Sequence, residues 1–282
     1  MKDKLKETIL QIKGLYYSYT NEKDTLNNIN IDIYKGEKIA VLGSNGAGKS
    51  TFFLNVNGVL KPKSGEIIYK GKIITKKDLN ELRKNVGIVF QDADNQIIAS
   101  TVLAEVSFGP MNLKLPKDEV IKRVDEAMRY MNISDFKDRP PHYLSGGEKK
   151  RVSIADIIAM KSEVIIFDEP TASLDPLNAE MLEEVLDKLS SEKKTLLIST
   201  HDVDFAYRWA DRVVVFSNGN IIGDGTPIEI FKNEEILRNA NLTRPVMLDV
   251  YETLLNADIL KNEKLYPKNI NEFKKIFASD TF

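Results

Sequence analysis

One run of residues, Gly43-Ser44-Asn45-Gly46-Ala47-Gly48-Lys49-Ser50-Thr51, has the composition and spacing of a loop that holds phosphate. Glycines at 43, 46 and 48 let the backbone turn tightly and aim its N–H groups at phosphate oxygens. Lys49 supplies a point charge for the outer phosphates, and the Ser50 hydroxyl can ligate Mg²⁺. Other groups with chemical potential lie far down the chain. Gln91 closes the apolar run Gly87-Ile88-Val89-Phe90. A carboxamide there can ligate Mg²⁺ or position a water, although most glutamines are simply solvated. Asp168-Glu169-Pro170 follows Val164-Ile165-Ile166-Phe167. Of these adjacent carboxylates, Asp168 can reach a Mg²⁺ shell and Glu169 can act on an attacking water as general base. His201, one of two histidines with His142, stands at the exit of a core strand in Thr200-His201-Asp202.

Leu144-Ser145-Gly146-Gly147-Glu148 opens a helix. Ser145 with Glu148 three residues on makes a capping box, and that accounts for the serine and the glutamate. It does not account for two consecutive glycines, which bare backbone N–H groups at a helix start and offer a second anion site. The following Lys149-Lys150-Arg151 reads as a solvated basic face rather than a nucleic-acid patch. Tyr19 is the aromatic best placed against a nucleotide base. The competing reading makes it one of three nearby tyrosines covering a sheet face.

These groups need elements to hold them. Ile39-Ala40-Val41-Leu42 is a buried strand that feeds the phosphate loop, and Phe52-Phe53-Leu54 opens a helix behind it. Residues 9–19 and the alternating Ile29, Ile31 and Ile33 predict two antiparallel, peripheral strands, and 66–74 predicts a hairpin. Between Pro116 and Met131, Val120, Ile121, Val124, Ala127, Met128 and Met131 share one helical face. Thr195-Leu196-Leu197-Ile198-Ser199 is a further strand, Ser173-Leu174-Asp175-Pro176 caps a helix running to about Leu189, and 213–222 around Asn218-Gly219 is a hairpin. Thr226-Pro227-Ile228-Glu229 is another capping box. Beyond Asn241, Val246, Val250, Tyr251, Leu254, Leu255 and Leu260 predict one short amphipathic helix, and Phe273, Ile276 and Phe277 another.

The bulk numbers set limits. A chain of 282 residues suits one large α/β domain with sub-domains. A net charge of −2 gives no basic field to advertise nucleic acid. With no cysteine, disulfides, thiolate metal sites and a cysteine nucleophile are excluded. The N-terminus, Met1 to Thr8, is charged and lacks an apolar signal core, and no stretch has the length of an apolar spanning helix. The expected location is cytosolic, with any membrane role coming through another subunit.

Taken in order, the phosphate loop at 43–51, Gln91, Leu144–Glu148, Asp168-Glu169, Ser173-Leu174-Asp175 and Thr200-His201-Asp202 resemble the motif set of an ATP-binding-cassette (ABC) ATPase over roughly residues 9–231. Within that superfamily the segment 87–96 resembles the ATPases of energy-coupling-factor importers, the type that also serves cobalt and nickel uptake. It departs from them at Ala93, where proline is expected, and Glu148 replaces the commoner glutamine. The resemblance implies a P-loop NTPase (RecA-like) α/β core with an antiparallel β subdomain and an inserted helical subdomain at about 92–160. It implies an ABC ATPase domain over 1–240 and, at 241–282, a C-terminal helical appendage that helps two ATPases pair.

It also implies a mechanism. ATP would be held by Tyr19, Gly43, Ser44, Asn45, Gly46, Ala47, Gly48, Lys49, Ser50, Thr51 and Gln91. Ser145, Gly146 and Gly147 of a second cassette would meet the γ-phosphate head to tail, and Asp175 would sense the opposite site. Mg²⁺ would take Ser50, Gln91 and Asp168. Glu169 would polarise the water, with Lys49 and His201 holding the γ-phosphate. Gln91 would link the nucleotide to the 92–108 region, which would dock on an integral membrane subunit. The second ATPase would be an identical chain or a related one, the pair lying peripherally on the cytoplasmic face of the cell membrane. The cargo would be a metal ion (cobalt or nickel) or a vitamin, and import rests on the resemblance alone. The alternative from another class is a soluble ABC ATPase acting on nucleic acid or ribosomes. It favours two cassettes in one chain, a long coiled-coil insertion or a basic face. A phosphoryl-transfer kinase leaves 144–148 unexplained.

Overall fold

The structure, a computed structural model, describes residues 7–20, 24–172, 174–260 and 265–280. Ser173 lies outside the described residues, as do residues 1–6 of the charged N-terminus and 21–23 of the turn after the first strand. In chain order the first elements are β1 (Thr8–Tyr17), β2 (Leu26–Tyr34), β3 (Lys38–Leu42), α1 (Lys49–Val56), β4 (Ser64–Tyr69), β5 (Lys72–Ile73), α2 (Leu79–Asn85) and β6 (Val86–Val89). Helices α3 (Val102–Asn112), α4 (Lys117–Tyr130) and α5 (Gly146–Met160) follow. Then come β7 (Val164–Asp168), α6 (Pro176–Ser191), β8 (Thr195–Ser199), α7 (Val203–Trp209), β9 (Arg212–Ser217) and β10 (Asn220–Gly225). The chain closes with α8 (Pro227–Phe231), α9 (Glu234–Ala240), α10 (Val246–Asn256) and α11 (Ile270–Asp280).

The described residues form two compact units, one of residues up to Glu37 with Ser50–Ser199, the other of Lys38–Lys49 with the residues from Thr200. In the first unit the alternating apolar residues of β1 pair antiparallel on both sides. Ile12 faces Ile31 of β2 and Ile67 of β4. This gives a four-stranded sheet in the order β2-β1-β4-β5. The apolar runs at 86–89, 164–168 and 195–199 instead make a parallel set, β6 beside β7 and β7 beside β8. Every residue of these three strands is buried, as continuous apolar strands covered on both faces require.

Helices α3, α4 and α5 fill the interval between β6 and β7. On α4, Val124, Ala127 and Met128 are buried and Met131 packs just past its end, but Ile121 is 49% exposed. The apolar stripe is therefore narrower than the sequence spacing predicts. Helix α5 begins with the capping box expected of it: Ser145 Oγ accepts from Glu148 N, and Glu148 accepts from Ser145 N.

In the second unit, β3 runs parallel to β9, with Leu42 opposite Val215, and β9 turns back into β10. Asn218 and Gly219 take φ of 48° and 77°, the left-handed pair that a two-residue hairpin turn needs. Thr226 and Glu229 close a capping box on α8. Helices α10 and α11 bury Tyr251, Leu260 and Ile276 against Leu254, Leu255, Tyr266 and Phe273. Val246 and Val250, assigned to that apolar face from spacing, are 64% and 44% exposed. Leu260 joins the cluster from beyond the end of α10. No described helix is long and apolar enough to cross a membrane.

Candidate functional site

The loop at 43–49 is shaped by what surrounds it. Gly43 has φ of +143°, and a Cβ there would come within 2.3 Å of the Phe216 carbonyl oxygen, so no other residue fits. Ala47 N donates to Ser44 O at 3.1 Å, and Gly219 N donates to Ala47 O at 3.0 Å, so the β9–β10 turn braces the loop. Lys49, the first residue of α1, is buried and donates from Nζ to the carbonyls of Gly43 at 2.7 Å and Ser44 at 3.3 Å. The N–H groups at the start of α1 and the positive end of its dipole favour an anion at this loop.

Tyr19 and Thr51 are joined, their hydroxyl oxygens 3.2 Å apart. The Tyr19 ring stands edge-on to Tyr17 at 5.0 Å between centroids and is 61% exposed. Its broad surface is open rather than spread over a sheet.

Asp168 ends β7 and is buried. Ser199, its neighbour across the register at the end of β8, donates from Oγ to Asp168 Oδ1 at 2.6 Å and accepts from Glu169 N at 2.8 Å. One serine thus orients the first carboxylate and pins the backbone of the second. Glu169 has φ of 44°, a left-handed conformation uncommon for glutamate. Ser199 was not singled out from sequence. The signal was there, in a hydroxyl closing an otherwise apolar strand.

Gln91 and Gly146 line one cleft of about 230 Å³ together with Asp92, Asp94, Lys149 and Lys150. The basic run proves to be structural rather than a solvated face. Lys149 pairs with Asp94 at 2.6 Å. Lys150 is buried and donates to the carbonyls of Phe90 at 2.8 Å and Gln91 at 2.7 Å. Burial lowers the Lys150 ammonium to about 8 against the opposing pull of Asp92 and Asp168. Gly147 is glycine because a Cβ there would come within 2.8 Å of the Asn178 side chain. Asn178 in turn donates from its backbone N and its amide to Asp175, which caps α6 and is held below the usual carboxylate range by those bonds. Asn178 therefore ties Asp175 to the glycine pair. The Ser145 backbone N–H and hydroxyl likewise hold Glu148 below its usual range.

His201 is exposed. Thr200 before it is buried, donating from N to Val41 O at 3.3 Å, and Asp202 after it caps α7 by accepting from Phe205 N. The imidazole is therefore carried on backbone fixed at both sides. For Mg²⁺, the hydroxyl of Ser50 and the oriented carboxylate of Asp168 are hard oxygen donors of the kind this ion prefers, and the two residues fit it on that ground.

The family model described as ABC transporter matches residues 26–172. An energy-coupling factor transporter ATP-binding protein of Methanocaldococcus jannaschii is 49% identical over 89% of this chain and 90% of its own length. Relatives at 43–49% identity are spanned over 60–99% of their own length. Among solved structures, cbiO1 of Clostridium perfringens, part of the ABC transporter complex cbiONQ, superposes with a TM-score of 0.73 at 42% identity, covering 89% of this chain and 99% of that one. The dimeric bacterial ABC transporter cassette MJ0796 superposes at 0.70 and 29% identity over 78% of this chain and 99% of its own. The fold and the phosphate loop thus define an ABC-type ATPase cassette. The chain belongs to the ABC transporter family, among its energy-coupling-factor ATP-binding proteins.

Proposed function

We propose that the chain binds and hydrolyses Mg-ATP to energise an energy-coupling-factor importer, working as one of a head-to-tail pair of cassettes beside integral membrane subunits. The linked Asp168–Ser199–Glu169 arrangement carries the reading, because it orients the Asp168 carboxylate and fixes the backbone that carries Glu169 at the end of parallel strands. Lys49 and the N–H groups of 43–49 hold the β- and γ-phosphates, and Tyr19 stacks on the base. Magnesium, when bound, neutralises phosphate charge, with Ser50, Asp168 and Gln91 as its protein partners. Glu169 takes the proton from the attacking water. His201 steadies the γ-phosphate. Gly146 and Gly147 donate to the γ-phosphate held by the other cassette, joined by the Ser145 hydroxyl once it turns from Glu148, and Asp175 senses that site through Asn178.

The cargo is a metal ion, cobalt or nickel, or a vitamin, and the 241–282 segment contributes to pairing. The cassette acts peripherally, at the cytoplasmic face of the membrane. The MJ0796 cassette dimer and the cbiO1 complex support pairing and membrane association respectively.

The test is Glu169→Gln. Turnover should fall roughly 10²–10⁴-fold while ATP binding persists. Light scattering should then find an Mg-ATP-dependent dimer of identical chains. Near-normal turnover removes the assignment of Glu169, and a persistent ATP-bound monomer removes the assignment of self-pairing.

A further inference from the structure

The turn after α1, the β4–β5 hairpin and α2 enclose a cavity of about 510 Å³, and none of the residues assigned to ATP lines it. Its size falls within the range of small-molecule pockets. Its walls come from the sequence Gly58-Val59-Leu60-Lys61-Pro62, whose proline and left-handed glycine (φ +78°) stop the helix and turn the chain outward. Ile67 and Leu82 are buried at its base, while Val59 and Ile73 are each 50% exposed at its edge.

Two features are unlike a simple apolar crevice. Asn55, wholly buried, uses its amide N–H to bond Thr51 O at 2.8 Å, but its Oδ1 is buried with no hydrogen-bond partner. Buried acceptors are rarely left so, because each one has given up its water. Around the mouth stand three cations, Lys61, Lys76 and Arg83, against one acid, Glu66. Arg83 is anchored by donating to Gly58 O at 2.6 Å. The arrangement is an apolar slot with a positive rim, and the buried Asn55 acceptor lies behind its wall.

From this we infer that the cavity binds a small amphipathic anion. The ligand has an apolar ring or alkyl body for the walls and a carboxylate or sulfonate for Lys61, Lys76 and Arg83. A neutral apolar compound leaves the rim unanswered, and an inorganic anion leaves the walls unfilled.

The probe is 8-anilinonaphthalene-1-sulfonate, which carries both parts, titrated by fluorescence into the full chain. Saturable binding of one molecule per chain is expected, with hydrogen-exchange protection concentrated in residues 55–83. Ile73→Glu, at a half-exposed position, sets a carboxylate at the mouth and should weaken binding by about 10-fold through like-charge repulsion. The Lys61→Glu/Lys76→Glu double variant should weaken it comparably. Met111→Glu, at an exposed apolar residue elsewhere, should leave it unchanged. Unfolding midpoints close to the parent's certify that the variants are folded. Non-saturating binding, protection confined to other segments, or equal affinity across all variants overturns the inference.

Discussion

Ser145 shows at the level of one residue how a cap and a ligand contact can share a side chain. Its hydroxyl accepts from Glu148 N at 3.3 Å and donates to the Glu148 carboxylate at 2.8 Å. Asparagine caps about as well as serine, whereas alanine costs roughly 1 kcal/mol. Ser145→Asn should therefore keep the urea midpoint while Ser145→Ala lowers it. Both should lose turnover by about an order of magnitude if the hydroxyl meets a γ-phosphate, since removing one such donor is worth that or more. Equal turnover in the asparagine variant would reduce Ser145 to a cap. Lys150 offers a second residue-level test. Lys150→Met strands the carbonyls of Phe90 and Gln91, so stability should drop by about 1–3 kcal/mol and amide exchange across 90–96 should quicken. Unaltered exchange there would show that the ammonium does not hold the segment.

Elements carry their own electrostatics. Helices α3 and α5 meet where a Cβ on Gly109 would come within 3.1 Å of Asp156 Oδ1. Burial, then the Glu105 charge on α3, raises the Asp156 carboxyl to about 7, with Gln96 and the Gly109 N–H opposing. The unfolded chain releases this proton near 3.8, the folded chain near 7. Between those values the native state binds more protons, so this group's contribution to stability declines as pH rises through the window and levels off above it. Asp156→Asn should be more stable than the parent by an amount that grows from pH 4 to 7, reaching on the order of 3 kcal/mol. Parallel urea curves across that range check it, and a pH-independent difference refutes it.

The strands were far easier to read from sequence than such helix contacts. Thr195–Ser199 and the capped starts of α5, α6 and α8 stand where their residues predict. Helices α2, α7 and α9 have seven residues each, too few to set up a periodicity. Helix α3 contains Gly109 and Pro110, which read as breakers, yet both are buried in it. At the site, the phosphate loop and the Asp168-Glu169 pair were legible because their chemistry is local. Ser199, Asn178 and Lys150 were not, since Ser199 acts on residues 30 and 31 positions away, Lys150 on residues 59 and 60 away, and Asn178 on a glycine of another helix.

At the scale of the whole molecule, one group of apolar side chains left in solvent falls where a membrane subunit is proposed to dock. Ile98 is 71% and Met111 63% exposed, with Leu103 and Phe108 between them. Ile98, Leu103 and Phe108 lie within the 92–108 region proposed to dock on a membrane subunit, and Met111 lies just past it. Ile98→Glu/Met111→Glu should leave ATP turnover of the isolated chain within about two-fold, while its retention by detergent-solubilised membrane subunits falls about 10-fold or more, in keeping with a few apolar anchors dominating an interface. Full retention would move the docking surface elsewhere.

The capping carboxylate has a further consequence. Glu148 holds the Ser145 hydroxyl proton and is kept ionised by those bonds. In the proposed head-to-tail pair each such anion would stand on the side of the opposite chain's triphosphate, where like charges repel. ATP would then close the pair against a loaded spring, one coil at each shared site. Loss of the γ-phosphate would let that tension work in the direction of opening.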